Sequence, residues 1–236
     1  MAADERFPTV NEFPFSGELA SIDPLVSDLI TREEERQERR LILIPSESLC
    51  HPVVRKTMDS VYGNLYAEGY PSSLATFLKE DRLNDVTEQL AYYRRYADRR
   101  FYKGTEMVDI VEALCRRRAA EAFATPTCPA ESIFANVQAL SGAAANMAVE
   151  EALLKPGDTL LSMDLMHGGH LSHGSPFHVS GRRYRVVSYG ISPKTHQLDY
   201  DEIERLANAE KPRLIIGGFS SYPFAPDWQR LRAIAD

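Results

Sequence analysis

The chain has 236 residues, 44% hydrophobic and 26% charged, which is enough apolar material to core one large domain. A formal net charge of −7 disfavours a general nucleic-acid role, and no apolar run is long enough to span a bilayer. The opening MAADERFPTVNEF lacks the basic-then-apolar pattern of a secretory leader. Cys50, Cys115 and Cys128 share no metal spacing, so reduced thiols in a cytoplasmic protein are expected.

In chain order, residues 1–22 read as an extended arm. A helix is predicted from Pro24 to about Arg40, with Leu25, Leu29 and Ile30 as its apolar stripe and TREEERQERR as a solvated face. LILIP is a short apolar segment ended by Pro45. SESLCHPVVRKTMDSVYG reads as a helix capped by a serine, with Pro52 in its first turn. Residues 1–55 thus form an N-terminal helical arm. Residues 72–99 carry leucines among many charges and predict one or two amphipathic helices. A further helix is predicted over 109–124.

From here strands and helices alternate. FANVQAL (134–140) is strand-like, and SGAAANMAVEEALLKPGD is a glycine turn running into an alanine-rich helix that stops at Pro156-Gly157. TLLSMD (159–164) and RYRVVSYG (183–190) read as strands, DYDEIERLANAEK (199–211) as a helix, and RLIIGGFS (213–220) as a strand buried on both faces. DWQRLRAIAD starts another helix. The alternation predicts an α/β domain, mostly parallel sheet with flanking helices and right-handed crossovers. The final helix has no stop signal, so an incomplete domain is expected, from a fragment or a split protein.

Three segments carry candidate chemistry. Ser141-Gly142 and Asn146 lie where a strand turns into a helix, and free N–H groups at such a helix start favour an anion; plain turn chemistry is the alternative. HGGHLSHG (167–174) places His167, His170 and His173 in a loop at a strand end, where α/β proteins hold ligands. The paired glycines and the absence of a nearby acidic or thiol ligand argue against a metal, and none is expected; an imidazole there can stack on an aromatic ring or be an ordinary loop histidine. In NLYAEGYP (64–71), an extended backbone would aim Tyr66 and Glu68 to one side. A phenol and a carboxyl there can orient a substrate and move a proton; a surface turn before proline is the alternative.

LIPSES, NLYAEGYP, RFYKGTE, NVQALSGAAAN, DLMHGGHLSHGSP, YGI, LDYDEIE, KPRLIIGGFSSY and DWQRLRAIAD, in this order, resemble the successive blocks of the serine hydroxymethyltransferase family. The likeness runs from about Pro24 to Asp236 apart from residues 72–99. It implies the aspartate-aminotransferase-like fold (fold type I of the pyridoxal-phosphate enzymes), with 56–236 as an incomplete cofactor-binding large domain. It implies a homodimer or dimer of dimers, pyridoxal 5'-phosphate as cofactor and tetrahydrofolate as co-substrate, with serine converted to glycine. Ser141 and Gly142 would hold the cofactor phosphate, His170 would stack on its ring, and Ser220 would lie near its hydroxyl. Ser46 would meet the substrate carboxylate. Tyr66, Glu68 and Tyr102 would reach into a neighbouring subunit's site, Glu68 to handle a proton and the tyrosines to position cofactor and amino acid. Leu165 and Leu171 would flank the folate ring.

The sequence departs from the family at several points. The family's later blocks carry an aspartate for the ring nitrogen, a lysine that anchors the cofactor covalently and an arginine for the substrate. None of Lys56, Lys79, Lys103, Lys155, Lys194 and Lys211 lies in that lysine's context. The chain alone is therefore expected to be inactive, and a separate C-terminal half chain is one way to complete it. Ala143 stands where the family usually has serine, Lys103 where it has glycine, and Leu65 where it has a basic or polar residue. Residues 72–99 read as an insertion between two active-site blocks. Two other readings stay open: a threonine aldolase or transaldolase relative, and a non-catalytic half that dimerises with a homologue.

Overall fold

A computed structural model describes residues 17–72, 78–96 and 99–236; the first sixteen residues of the expected arm lie outside them. The chain divides into two compact units, Met1–Ser48 and Leu49–Asp236.

In the first unit, α1 (Leu19–Ile22) precedes α2 (Pro24–Arg39). Asp23 caps α2, its carboxylate accepting the Val26 N–H at 3.1 Å, and Pro24 occupies the first turn, where no backbone donor is needed. The charge run is a solvated face as expected: Asp28–Arg32 and Glu33–Arg36 pair at 2.7 Å with both partners exposed. Water and salt screen such exposed pairs, so they add little to stability. Leu25, Val26, Leu29 and Ile30 are also exposed.

The second unit opens with α3 (Pro52–Met58), capped by His51 rather than a serine: the His51 Nδ1 accepts the Val53 N–H at 3.2 Å. The segment between the two candidate blocks folds into α4 (Glu80–Leu83) and α5 (Val86–Tyr96), both packed on α6 (Glu106–Ala122). Leu83 and Ala113 are the buried centre of that packing, flanked by Leu78 and Leu114. The first turn of α6 starts earlier than the sequence suggested and carries Glu106 and Asp109, which complement the helix dipole.

The remainder is a parallel sheet in the order β2-β1-β3, with β1 (Thr159–Met163) central, β2 (Arg185–Tyr189) on one side and β3 (Leu214–Ile215) on the other. Leu161 lies opposite Val187 and Ile215. The two-residue period of β1 divides its side chains between faces. Leu161 and Met163 join Ile203 of α9 (Tyr200–Glu210) and Leu231 of α10 (Trp228–Ala235) in the main core. Leu160 faces the other way, against Leu154 and Tyr184, where α7 (Gly142–Leu153) ends. Ser162 lies on that second face and donates to the His173 carbonyl. The His173 part of the histidine loop therefore sits on the face of β1 opposite α9 and α10, whereas Phe219 and Tyr222 pack on the α9 and α10 side.

Three expectations need correction. Residues 134–140 form no regular element and belong to no ladder among the described residues. Side chains hold this segment instead: Arg116 donates to the Ala135 carbonyl at 2.8 Å, and Gln138 ties back to Gly69 and Glu112. Residues 183–184 are not strand. Arg183 closes a short helix, α8 (Val179–Arg183), that His178 caps by accepting the Ser180 N–H at 3.2 Å. The strand expected over 213–220 shrinks to β3, and residues 214–220 are half-buried rather than covered on both faces. β3 is an edge of the sheet among the described residues, so its backbone has β1 as its one neighbour.

Candidate active site

The start of α7 is built as the sequence suggested. Ser141 is the N-cap; its Oγ accepts the Ala144 N–H at 3.3 Å, and its carbonyl accepts that of Ala145 at 3.0 Å. The amides of Gly142 and Ala143 are left without an intrahelical acceptor. A side chain at Gly142 would meet nothing within 4 Å, so this helix end opens onto free space. Amides and dipole there suit an anion.

One turn on, Asn146 joins α7 to the histidine loop. Its Nδ2 donates to Ser172 Oγ at 2.8 Å, and Ser172 Oγ lies 2.8 Å from His170 Nδ1. The Ser172 N–H also donates to His170 Nδ1, at 3.1 Å. A nitrogen that accepts from a backbone amide carries no proton, so Ser172 Oγ donates to it and the His170 proton sits on Nε2. Three residues of local sequence and one helix thus fix ring orientation and tautomer together.

The three histidines do different work. His170 is half-buried, with its ring 5.5 Å from that of His173. His173 is buried with its Nδ1 unpartnered; burial, and then the neighbouring His170, push its pKa below the ordinary histidine value. His167 turns away, its ring occupying the space that a side chain at Gly190 would need. Among the described residues no group of three or more His, Cys, Asp or Glu is placed to hold a metal.

The same loop fastens Ser220. The Gly168 carbonyl accepts the Ser220 and Ser221 amides at 2.8 and 3.2 Å. Gly168 takes φ +115° and lies against the Tyr222 backbone, a position where a side chain would be both strained and blocked. Hydrogen bonds thus tie α7 to His170 through Asn146 and Ser172, and Gly168 to Ser220, while the backbone of residues 168–170 joins the two sets, so the loop connects Ser141 and Gly142 with the segment five residues beyond β3. Leu165 and Leu171 sit on this loop, both close to half-exposed.

Tyr66, Glu68 and Tyr102 form a second group. Residues 66–70 run extended beside 99–101: Tyr70 donates to the Arg99 carbonyl and Phe101 to that of Glu68, each at 3.1 Å. The exposed positions are Tyr66, Glu68 and Tyr70, alternating with Ala67, Gly69 and Pro71, which are covered. Tyr66 and Glu68 are both exposed, with the covered Ala67 between them. Tyr66 and Tyr102 meet edge to face, with ring centroids 4.9 Å apart. Glu68 is solvent-exposed within this chain.

Ser46 lies in the first unit, in an exposed turn where the Glu47 N–H donates to the Ile44 carbonyl at 3.0 Å.

Sequence reasoning did not single out Ser172, Gln138 or Arg100. Ser172 carries a readable signal, because His-x-Ser recurs at His178-Val179-Ser180 with the same bond from the serine amide to Nδ1. Arg100 and Gln138 carry none: their partners are 9 to 69 residues away in sequence.

Comparison of the sequence with known proteins finds relatives in a known family. A family model for serine hydroxymethyltransferase matches residues 19–95 and 83–236. The serine hydroxymethyltransferase of Acinetobacter radioresistens is 43% identical over 218 residues, covering 92% of this chain and 44% of that protein. Those of Hydrogenovibrio crunogenus and Methylococcus capsulatus are 43% and 42% identical, each again covered over 44% of its length. The chain thus spans less than half the length of the relatives it matches. By its sequence over both matched segments, the chain belongs to the serine hydroxymethyltransferase family.

Proposed function

We propose that this chain supplies the cofactor-facing and substrate-facing loops of a pyridoxal-phosphate-dependent serine hydroxymethyltransferase, within a partial large domain of fold type I. The observation that carries the reading is the continuous link from the Ser141 cap, through Asn146, Ser172 and His170, to Gly168 and Ser220. The residue set fits the cofactor: an open helix start for its phosphate, an imidazole with a fixed face beside it, and a serine tethered to the same loop.

When bound, the cofactor supplies an electron sink for the amino-acid carbanion. The protein's part is binding, orientation and proton handling. The Gly142 and Ala143 amides and the Ser141 hydroxyl receive the phosphate; Ala143 offers one hydroxyl fewer than serine would, a difference of about 1 kcal/mol. His170, with its proton on Nε2, would stack on the cofactor ring, and Ser220 would lie near the ring hydroxyl. Ser46 receives the substrate carboxylate. Tyr66 and Tyr102 orient cofactor and amino acid, and Glu68 holds and returns a proton at the substrate hydroxyl. The exposure of Glu68 and Tyr66 supports their facing a second subunit in a homodimer or dimer of dimers. Leu165 and Leu171 flank tetrahydrofolate. Exposed free thiols at Cys50, Cys115 and Cys128 accord with a cytoplasmic setting.

Activity needs the remaining part of the family's length, as a continuation or a separate polypeptide. The test is serine cleavage by the purified chain, alone and co-expressed with the C-terminal part of a relative. We expect none alone and folate-dependent cleavage after complementation, lost in Glu68→Gln. Cleavage by the chain alone overturns the reading of incompleteness; complemented cleavage indifferent to folate redirects the assignment to an aldolase.

A further inference from the structure

We propose that Arg100 is a positioning residue for this site: its guanidinium sets the strip carrying Tyr66 and Glu68 against the segment carrying Tyr102. The inference rests on the reading of those three residues as site residues and adds the device that holds them.

Arg100 is among the most buried charges of the chain, with its side chain 1% exposed. Its Nε donates to Asp109 Oδ1 at 2.7 Å and its Nη2 to Glu112 Oε2 at 2.8 Å, so α6 holds it through two carboxylates three residues apart. Nη1 donates to the carbonyls of Ala67 and Gly69, at 2.8 and 2.9 Å. These are the covered positions of the 66–70 strip, so the guanidinium grips the strip from behind while Tyr66 and Glu68 remain exposed on the other side. Gln138 closes the cluster, its Nε2 donating to both the Gly69 carbonyl and Glu112 Oε1. Gly69 takes φ +104°, and a side chain there would meet the Arg99 carbonyl at 2.3 Å, so the two strands approach as closely as backbone permits.

The cluster requires arginine. Three nitrogens in one plane serve four acceptors in different directions, and lysine, with a single nitrogen, cannot reach all of them. Two carboxylates face one guanidinium, so removing the cation leaves both uncompensated. Because the Tyr66–Tyr102 edge-to-face pair spans the two gripped segments, loss of the grip is read at the site itself.

The test compares the wild-type chain with Arg100→Lys and with a triple variant, Arg100→Leu/Asp109→Asn/Glu112→Gln, which removes the cluster's charges together and guards against simple unfolding of the first. Amide hydrogen exchange is followed at Tyr70 and Phe101, the donors that join the strips, and at β1 as an internal reference. Both variants are expected to speed exchange at Tyr70 and Phe101 by roughly tenfold or more with β1 unchanged. Unchanged exchange at Tyr70 and Phe101 overturns the proposal. In the complemented, cofactor-loaded enzyme, Arg100→Lys is expected to lower kcat for serine cleavage by roughly 10–100-fold, with the affinity for pyridoxal phosphate retained. Loosened strips with unaltered kinetics would instead remove Tyr66, Glu68 and Tyr102 from the site, and the positioning role with them, leaving the cofactor loops assigned.

Discussion

The Arg100 cluster and the histidine loop solve one problem, holding still a segment that carries candidate site residues, by opposite means. The cluster uses buried charge: one guanidinium, two carboxylates and an amide gather segments that share no regular structure. The loop uses neutral groups, with Asn146, Ser172 and backbone amides acting on His170, and Ser162 on the carbonyl behind it. Buried charge binds strongly but fails badly when one member is lost; a neutral network is weaker per bond and loses its members one at a time. The strip that displays Tyr66 and Glu68 has the strong anchor. The loop, already braced by the sheet, needs only orientation.

The comparison breaks most visibly at Arg100. Arg100→Ala leaves two buried carboxylates without a cation, and should lower stability by about 3–5 kcal/mol in denaturant unfolding; a loss below 1 kcal/mol would mean that water replaces the guanidinium freely. On the neutral side steric closeness sets the largest effect. A side chain at Gly169 would meet the Met163 carbonyl at 2.2 Å, so Gly169→Ala should cost roughly 2–3 kcal/mol.

Glu150 sharpens the contrast, being a buried carboxyl on α7 with no arginine: its Oε1 has no hydrogen-bond partner, and burial pushes its pKa up from 4.5 to about 7. The folded state therefore binds its proton more tightly than the unfolded state does. Its stabilising contribution is complete below about pH 4.5 and lost as pH rises through about 7. Glu150→Gln should raise stability at pH 8 by on the order of 2 kcal/mol and leave it nearly unchanged at pH 4. Thermal unfolding across that range checks it; an equal gain at both pH values would show that packing rather than ionisation is responsible.

The smallest effect is expected at Ser172. Ser172→Ala and Asn146→Ala should each cost about 1 kcal/mol, and the double variant little more than either, because both remove one shared bond. Full additivity in the double variant would refute that coupling.

Much of the α/β region was legible in advance. The alanine-rich run after Ser141-Gly142 became α7, TLLSMD became β1, and the acidic start at 199–202 became a capped α9. Each of these rests on local periodicity, a cap or a turn. Legibility failed at FANVQAL and RLIIGGFS, where composition favours a strand but ladder bonds need a neighbour that sequence does not identify. In the site, the helix-start serine, the histidine loop and the alternating Tyr66 and Glu68 were readable because their geometry is local. What joins them was not.

The sequence by itself determined the family, through its ordered blocks, and the element types over its strongly periodic segments, which follow from near-neighbour spacing. Tertiary structure alone decided that Arg100 and Gln138 grip the strip displaying Tyr66 and Glu68, that Asn146 reaches Ser172 to fix the His170 tautomer, and that Gly168 tethers Ser220. In each case the partners lie tens of residues apart, and the hydrogen bond forms only where folding has brought donor and acceptor within about 3 Å.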